Sequence, residues 1–210
     1  MRCSSLSLVA RCDKTGQLGV GTLSATPAAG ALVPWAEAGV GAVAMQGWVN
    51  PSLGRELIEL LRRGKQAEEA LQAVLADDAR SEVRQILVVG PAGDAAAYTG
   101  EETDAAKGHI LRRDCAVAGN HLDALEVLDE VVRAYDDASG DLAERIGAAL
   151  EVAEARGSDG RGVRSGAILV VPPDGGAGPL VDLRVDDHRK PAAELVRLLT
   201  VYKKEVLKPH

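Results

Sequence analysis

A chain of 210 residues with 46% hydrophobic side chains can fill one sizeable core, so a single domain over residues 1–210 is expected. The net charge of −7, from 31 acidic against 24 basic residues without a Lys/Arg cluster, argues against nucleic acid and anionic membrane as partners; an aromatic content of 2% with no Phe leaves little for base stacking. Cys3, Cys12 and Cys115 are scattered with no CxxC pair, which excludes a thiolate zinc site and a disulfide framework and fits a reducing compartment.

Residues 5–12, SLSLVARC, alternate small polar and apolar as a strand does. Asp13-Lys14-Thr15-Gly16 makes a turn, and residues 17–25 read as the returning strand of a hairpin. A turn centred between Lys14 and Thr15 pairs positions that sum to 29, which sets Ser5 opposite Ser24. Thr26-Pro27 opens a loop that leads through Pro34-Trp35 to a short apolar run at 39–46, a buried strand. Asn50-Pro51-Ser52 starts a helix with Leu53, Leu57, Ile58, Leu60 and Leu61 on its apolar face, ended by Gly64. A second helix is expected over 66–79.

Strands follow at 82–90 and 94–99, and a single strand at 109–118 ends in the Gly119-Asn120 corner. Two helices come next, near 123–138 and from Asp141 to about Arg156, the second opened by a capping box of Asp141 with Glu144. Strands return at 165–172 and 179–185, and Pro191 opens a last helix that runs past Tyr202. Strict βαβ alternation is absent, which favours antiparallel sheets covered by helix pairs, an α+β chain, over a doubly wound sheet. No internal repeat is found, and no apolar run reaches membrane-spanning length. The N-terminal apolar run is too short and interrupted for a signal peptide, so the cytoplasm is the expected location.

Polar side chains gather in four places at strand ends or in loops. Cys3, Ser4, Ser5 and Ser7 crowd the start of the first long strand, where a hydroxyl faced by another across the sheet suits a nucleophile; solvated strand serines are the plainer alternative. Gln46 and Asn50 flank Gly47-Trp48-Val49 and could hold a substrate amide or an oxyanion, while Asn50 could equally be a helix cap. Gly119-Asn120-His121 reads as a corner that aims an amide, or as turn chemistry alone. The tract Gly157-Ser158-Asp159-Gly160-Arg161-Gly162 and the cluster Asp186-Asp187-His188 offer a substrate clamp and an acid/base pair, against a plain salt-bridge network. These spacings supply too few ligands for a metal, and phosphate-loop, HExxH and GxSxG motifs are missing, so neither metal nor cofactor is expected.

Taken together, SLSLVARCDKTGQLGVG, AAGALVPWAEAGVGAVAMQGWVNPSLG, AVAGNHL, SDGRGVRSGAILVV and VDLRVDDHRKPAAEL resemble the bacterial family known as domain of unknown function 1028, over nearly the whole chain. The resemblance implies an N-terminal-nucleophile (Ntn) hydrolase-like fold, a four-layer αββα sandwich. In that superfamily a Thr, Ser or Cys at a mature N-terminus attacks an amide carbonyl and its own α-amino group is the base. Ser5 falls where many family members carry a Thr directly after the initiator Met. Ser24, Gln46, Asn50, Asn120, Asp159, Arg161, Ser165, Asp187 and His188 fall on matching motif positions.

The chain also departs from the family. It begins Met1-Arg2-Cys3-Ser4, so removal of Met1 alone does not free Ser5; Thr103 and Ala106 stand where Cys and Trp are usual, and Val163-Arg164 replaces a Gln pair. The implied function is amide-bond hydrolysis on a small polar substrate, with a non-catalytic small-molecule-binding protein of the same fold as the alternative. In the first case Ser5 is the nucleophile, Gln46 and Asn120 stabilise the oxyanion, and Asp187 and His188 are an acid/base pair. Ser24, Asn50, Asp159, Arg161 and Ser165 contact substrate. A homodimer is compatible with either.

Overall fold

The computed structural model describes residues 2–3, 5–176 and 178–207. In chain order the strands and helices are β1 (Arg2–Cys3), β2 (Ser5–Arg11), β3 (Leu18–Ser24), β4 (Pro34–Glu37), β5 (Gly41–Trp48), α1 (Pro51–Arg62), α2 (Ala67–Asp77), β6 (Arg84–Val89), β7 (Ala95–Thr99), β8 (Gly108–Arg112), β9 (Cys115–Gly119), α3 (Glu126–Asp137), α4 (Leu142–Ala155), β10 (Ser165–Val171), β11 (Val181–Val185) and α5 (Pro191–Glu205). Among the described residues no helix is long and apolar enough to cross a membrane.

The strands form two sheets whose ladders are antiparallel. One runs β1-β5-β6-β7, with β4 also paired to β5; the other runs β11-β10-β3-β2-β9-β8. The β2–β3 hairpin sits in the middle of the second sheet, in the register expected from its turn, with Ser5 opposite Ser24. A doubly wound parallel sheet is thereby excluded.

Period-two patterning divides the strand residues between different cores. On β2, Leu6, Leu8 and Ala10 join a cluster with Leu128, Val131, Ile146, Leu150 and Leu195 of α3, α4 and α5. Val9 on the opposite face joins Val20, Ala42, Ala44, Leu87, Val89, Ala116 and Ala118, drawn from both sheets. Val43, Met45, Ile86 and Val88 pack with Leu57, Leu61, Leu71 and Val74 of α1 and α2. Two of these clusters thus hold residues of one sheet with helices, and the third holds residues of both sheets. The helix caps follow sequence chemistry: Asn50 Oδ1 accepts from the Ser52 N–H at 3.2 Å, and the Asp141/Glu144 capping box is formed.

Three segments differ from the sequence-based expectation. Residues 109–118 are not one strand: they belong to a hairpin of β8 and β9 that pairs Arg112 with Cys115. The turn lies in Arg113-Asp114, without Gly or Pro to mark it; Asp114 takes φ 63°, a left-handed conformation that Asp tolerates better than most residues. The short strands β1 and β4 were not foreseen. Both pair with the same edge of β5, β4 along Gly41–Ala44 and β1 at Gly47–Trp48. Two- and four-residue strands are too short for periodicity to reveal, and the first takes its partner from a distant segment.

Small residues set the spacing between β3 and α4. A Cβ placed on Gly21 would lie 2.4 Å from Ile146 Cγ2, and one on Gly19 would lie 2.8 Å from Ile146 Cδ1. Gly21→Ala is therefore expected to cost about 1–3 kcal/mol of unfolding free energy. In urea titrations, Gly21→Ala combined with Ile146→Ala should lose less than the sum of the single losses, because the shortened side chain vacates the overlapping space.

Candidate active site

Ser5 opens β2, Ser24 closes β3 and Ser165 opens β10. The ladders set the three in one row across adjacent strands, and the Asn120 N–H donates to the Ser5 carbonyl at 3.1 Å beside them. All four side chains are fully buried. Gln46 of β5 and Gln85 of β6, paired in register, approach this row from the other sheet and are also fully buried.

A closed hydrogen-bond network joins the sheets. Gln46 Nε2 lies 3.1 Å from Ser5 O, 3.2 Å from Ala118 O and 2.6 Å from Gln85 Oε1. Its Oε1 is 2.5 Å from Ser7 Oγ, which is in turn 2.9 Å from Thr22 Oγ1. An amide oxygen can only accept, so the Ser7 hydrogen goes to Gln46 and Thr22 donates to Ser7. Gln85 Nε2 reaches Thr99 Oγ1, Gly108 O and Gly119 O at 2.9–3.2 Å, while its Oε1 also accepts from Asn120 Nδ2 at 2.8 Å. The surrounding carbonyls fix the orientation of both glutamines, since a flip would set oxygen against oxygen. Asn120 Oδ1 and Ser158 Oγ are buried and have no partner among the described residues.

The strand β1 covers the row. Cys3 is fully buried, and its Sγ lies 3.4 Å from Ser5 Oγ and 3.5 Å from Ser24 Oγ. Ser5 Oγ donates to the Cys3 carbonyl at 3.2 Å. Arg2 pairs with Trp48 in the ladder and its guanidinium with Asp104, Nε to Oδ2 at 3.2 Å. Ser4, which the sequence reading grouped with Cys3, Ser5 and Ser7, lies outside the described residues.

The remaining candidates serve different ends. Asn50 is the cap of α1, with Oδ1 taken by the N–H and hydroxyl of Ser52. Ser165 fastens the loop after β3, donating to Thr26 O at 2.6 Å and accepting from Ala29 N at 3.1 Å. The Asp159 carboxylate is fully buried and takes a fork from Arg161, Nε at 2.9 Å and Nη2 at 2.6 Å, with Ala25 N at 3.4 Å from Oδ2. That fork commits two guanidinium donors to the protein itself.

Asp187 and His188 do not enter the buried cluster. Both are exposed; Asp187 takes a fork from Arg164 at 2.9 and 2.7 Å, which holds its carboxyl below the usual carboxylate range, and His188 Nδ1 accepts from Lys190 N at 3.1 Å. The salt-bridge alternative weighed for this motif describes what they do here. Arg161 also stands at the surface, whereas Ser5, Ser24, Gln46 and Asn120 are packed together away from solvent. Sequence reasoning overlooked Gln85 and Thr22, and named Ser7 in the Ser5 cluster without a role in the seam. Gln85 sits two positions before Leu87 and four before Val89 on one strand face, and a lone amide in that inward series was the available signal. Among the described residues, no group of three or more His, Cys, Asp or Glu could hold a metal ion.

The fold and this buried seam define a mixed α/β protein with two antiparallel sheets joined by amide and hydroxyl side chains. The chain belongs to the family of unknown function DUF1028, whose model matches residues 5–195. A solved structure of the same family, protein SPO2555 from Silicibacter pomeroyi, is 30% identical with a TM-score of 0.88, over 95% of this chain and 86% of that one. More distant likenesses are the Anbu (ancestral beta-subunit) protein from Yersinia bercovieri, 12% identical with a TM-score of 0.45 over 98% of both chains, and the Anbu (Gly-1) mutant from Hyphomicrobium sp. strain MC1, 12% identical with a TM-score of 0.43 over 97% of both. No curated protein matches the chain.

Removing Gln46 should unbalance the seam. Gln46→Leu keeps the bulk but strips donors from Ser5 O and Ala118 O and an acceptor from Ser7, and is expected to cost about 2–3 kcal/mol in chemical denaturation. A second expectation concerns the buried pair Asp78–Arg84, at 2.7 Å, which also holds the Trp48 carbonyl at the end of β5. Arg84 hydrogen-bonds Asp78 and keeps its carboxyl below the ordinary value of 3.8. A depressed carboxylate stabilises the fold above its unfolded value, and that contribution is lost as pH falls through the folded one. Stability measured from pH 6 downward should therefore fall more steeply below about pH 4 in the parent than in Asp78→Asn.

Proposed function

We propose that the chain is an amide-bond hydrolase, or a related amide-transforming enzyme, of the Ntn type acting on a small polar substrate, with Ser5 as nucleophile. The observation that carries this reading is the burial of Ser5 at the start of a central strand, in a row with Ser24 and Asn120 and bonded across to Gln46. The family match that opens at residue 5 supports it. So do the three apolar clusters, which fit one folding unit of four layers, α1–α2, sheet, sheet, α3–α5, as a four-layer αββα sandwich requires.

In this reading the segment before Ser5 must leave. While Ser5 nitrogen is part of a peptide bond its lone pair is delocalised and it is a poor base. After cleavage the α-amine takes the Ser5 hydroxyl proton as Oγ attacks the substrate carbonyl. The tetrahedral intermediate collapses, the amide C–N bond breaks, and the leaving amine departs with that proton. Water then hydrolyses the Ser5 ester. Gln46 spends its amide on the seam, so the oxyanion is left to Asn120, whose Nδ2 has a second hydrogen beyond the one given to Gln85. Asn120 Oδ1, a buried acceptor without a partner among the described residues, takes a hydrogen bond from the substrate amide.

A specific observation favours the second reading, a non-catalytic small-molecule-binding protein: Ser5 Oγ is bonded to Cys3 O beneath a strand that is itself fastened by Asp104 and Trp48. The comparison that separates the two uses the intact chain, a chain beginning at Ser5, and that shortened chain with Ser5→Ala, on a panel of small amides. The hydrolase reading expects turnover by the shortened chain alone. Absence of turnover by all three, with equal ligand binding, leaves the binding protein.

A further inference from the structure

One surface feature runs against the acidic character of the molecule. A cavity of about 860 Å³ is lined by Arg161, Arg164, Arg189 and Lys190 with His188, against the single carboxylate of Asp187. In a chain of net charge −7, Arg161 is paired with the buried Asp159 and Arg164 with Asp187, so Arg189 and Lys190 leave this wall net positive, a local reversal of sign. The 15-residue helix α5 begins at the cavity rim, with Lys190 as N-cap and Pro191 as first residue, and its N-terminal dipole end adds to the positive field.

The cavity wall is bonded to the strands of the buried row. Arg164 N donates to Ser24 O at 2.8 Å, and His188 N donates to Arg164 O at 2.7 Å. Arg161 on the same wall is forked to Asp159, whose Oδ2 also accepts from the N–H of Ala25, next in sequence to Ser24. A ligand seated among these cations therefore lies beside the strand ends that hold Ser24 and Ser5.

Arg164 indicates what the ligand is. Its Nε and Nη2 meet the two oxygens of Asp187 at 2.9 and 2.7 Å, the parallel two-bond geometry of a guanidinium on a planar carboxylate. The Asp187 side chain is 62% exposed and that of Arg164 48% exposed, and a pair so open to solvent contributes little to stability. Exchanging Asp187 for an incoming carboxylate keeps the geometry and costs little.

We propose that this cavity is a carboxylate subsite, in which the carboxylate of a small amide-bearing molecule displaces Asp187 from Arg164 and is held among Arg164, Arg189 and Lys190. The further step, that this molecule is the substrate, rests on the hydrolase reading; the binding does not.

The test is calorimetric titration of the full chain at low salt with three probes. Succinamate carries one carboxylate and one amide, succinamide replaces the carboxylate with a second amide, and inorganic phosphate is a non-carboxylate anion. Succinamate is expected to bind at least about tenfold tighter than the other two, Arg164→Gln to lose about tenfold in its affinity, and Asp187→Asn, which removes the internal competitor, to gain. Arg189→Gln should also weaken binding, and serves if Arg164→Gln does not fold. Equal binding of succinamate and succinamide, no binding of succinamate, phosphate binding as tightly as succinamate, or affinities unchanged in the variants would each overturn the assignment. Ammonia release from succinamate by the chain beginning at Ser5 is followed in parallel. Arginine-dependent binding without release would leave the subsite standing and remove the hydrolase; release independent of Arg164 and Arg189 would do the reverse.

Discussion

An amide buried between two sheets must have its hydrogen bonds made, and that requirement organises this molecule. Gln46 and Gln85 lie in register on β5 and β6, and each reaches across the gap to carbonyls of the opposite sheet. Apolar contacts such as Val20 against Ala44 tolerate small slips of one sheet over the other, but these directional bonds do not. Leaving any of these donors or acceptors unpaired would cost about 1–3 kcal/mol, so the two sheets are pinned at one end of their interface. Toward the other end the same interface is apolar, built largely of Val, Ala and Leu.

The pinned end is where Ser5, Ser24 and Asn120 stand. The two-stranded centre of the second sheet brings Ser5 and Ser24 together, and the Gly119–Asn120 corner supplies the neighbour on the other side. Polarity, burial and strand ends thus coincide at one place. Strand β1 then closes it: the chain leaves one sheet at Cys3 and enters the other at Ser5, so the same backbone that carries the hydroxyl also carries its cover. In the proposed mechanism, chemistry at Ser5 requires that β1 be gone, which makes the state of the residues before Ser5 the control point of that activity. Arg164 with Asp187 stands exposed outside that end, and Arg161 reaches from the surface to the buried Asp159.

Much of this was legible in the sequence. A turn centred on Lys14-Thr15 pointed to Ser5 opposite Ser24, with slips of one or two residues left open, and the ladder has that register. Asp141 with Glu144, and Pro191, marked helix starts through local chemistry. The β8–β9 turn was not legible, since Arg113-Asp114 carries neither Gly nor Pro and Asp114 is the single turn-favouring residue in it, at φ 63°. Strands β1 and β4 were hidden because two and four residues are too short to show a period, and β1 also takes its partner β5 from far along the chain. At the site, the motif positions Ser5, Ser24, Gln46 and Asn120 converge, while Asn50 is absorbed by its helix and Asp187 and His188 face solvent. Polarity alone could not separate these fates, since a cap, an exposed ion pair and a buried network draw on the same residue types.

The central claim is that Ser5 becomes a nucleophile when, and only when, the residues before it are gone. A β-lactone measures this directly, since an activated hydroxyl opens the strained ring and remains as an ester that peptide mass mapping locates. The account predicts an adduct on Ser5 in the chain that begins there and none on the intact chain. Equal acylation of Ser5 in both, or a shortened chain that folds and stays unlabelled, would contradict it.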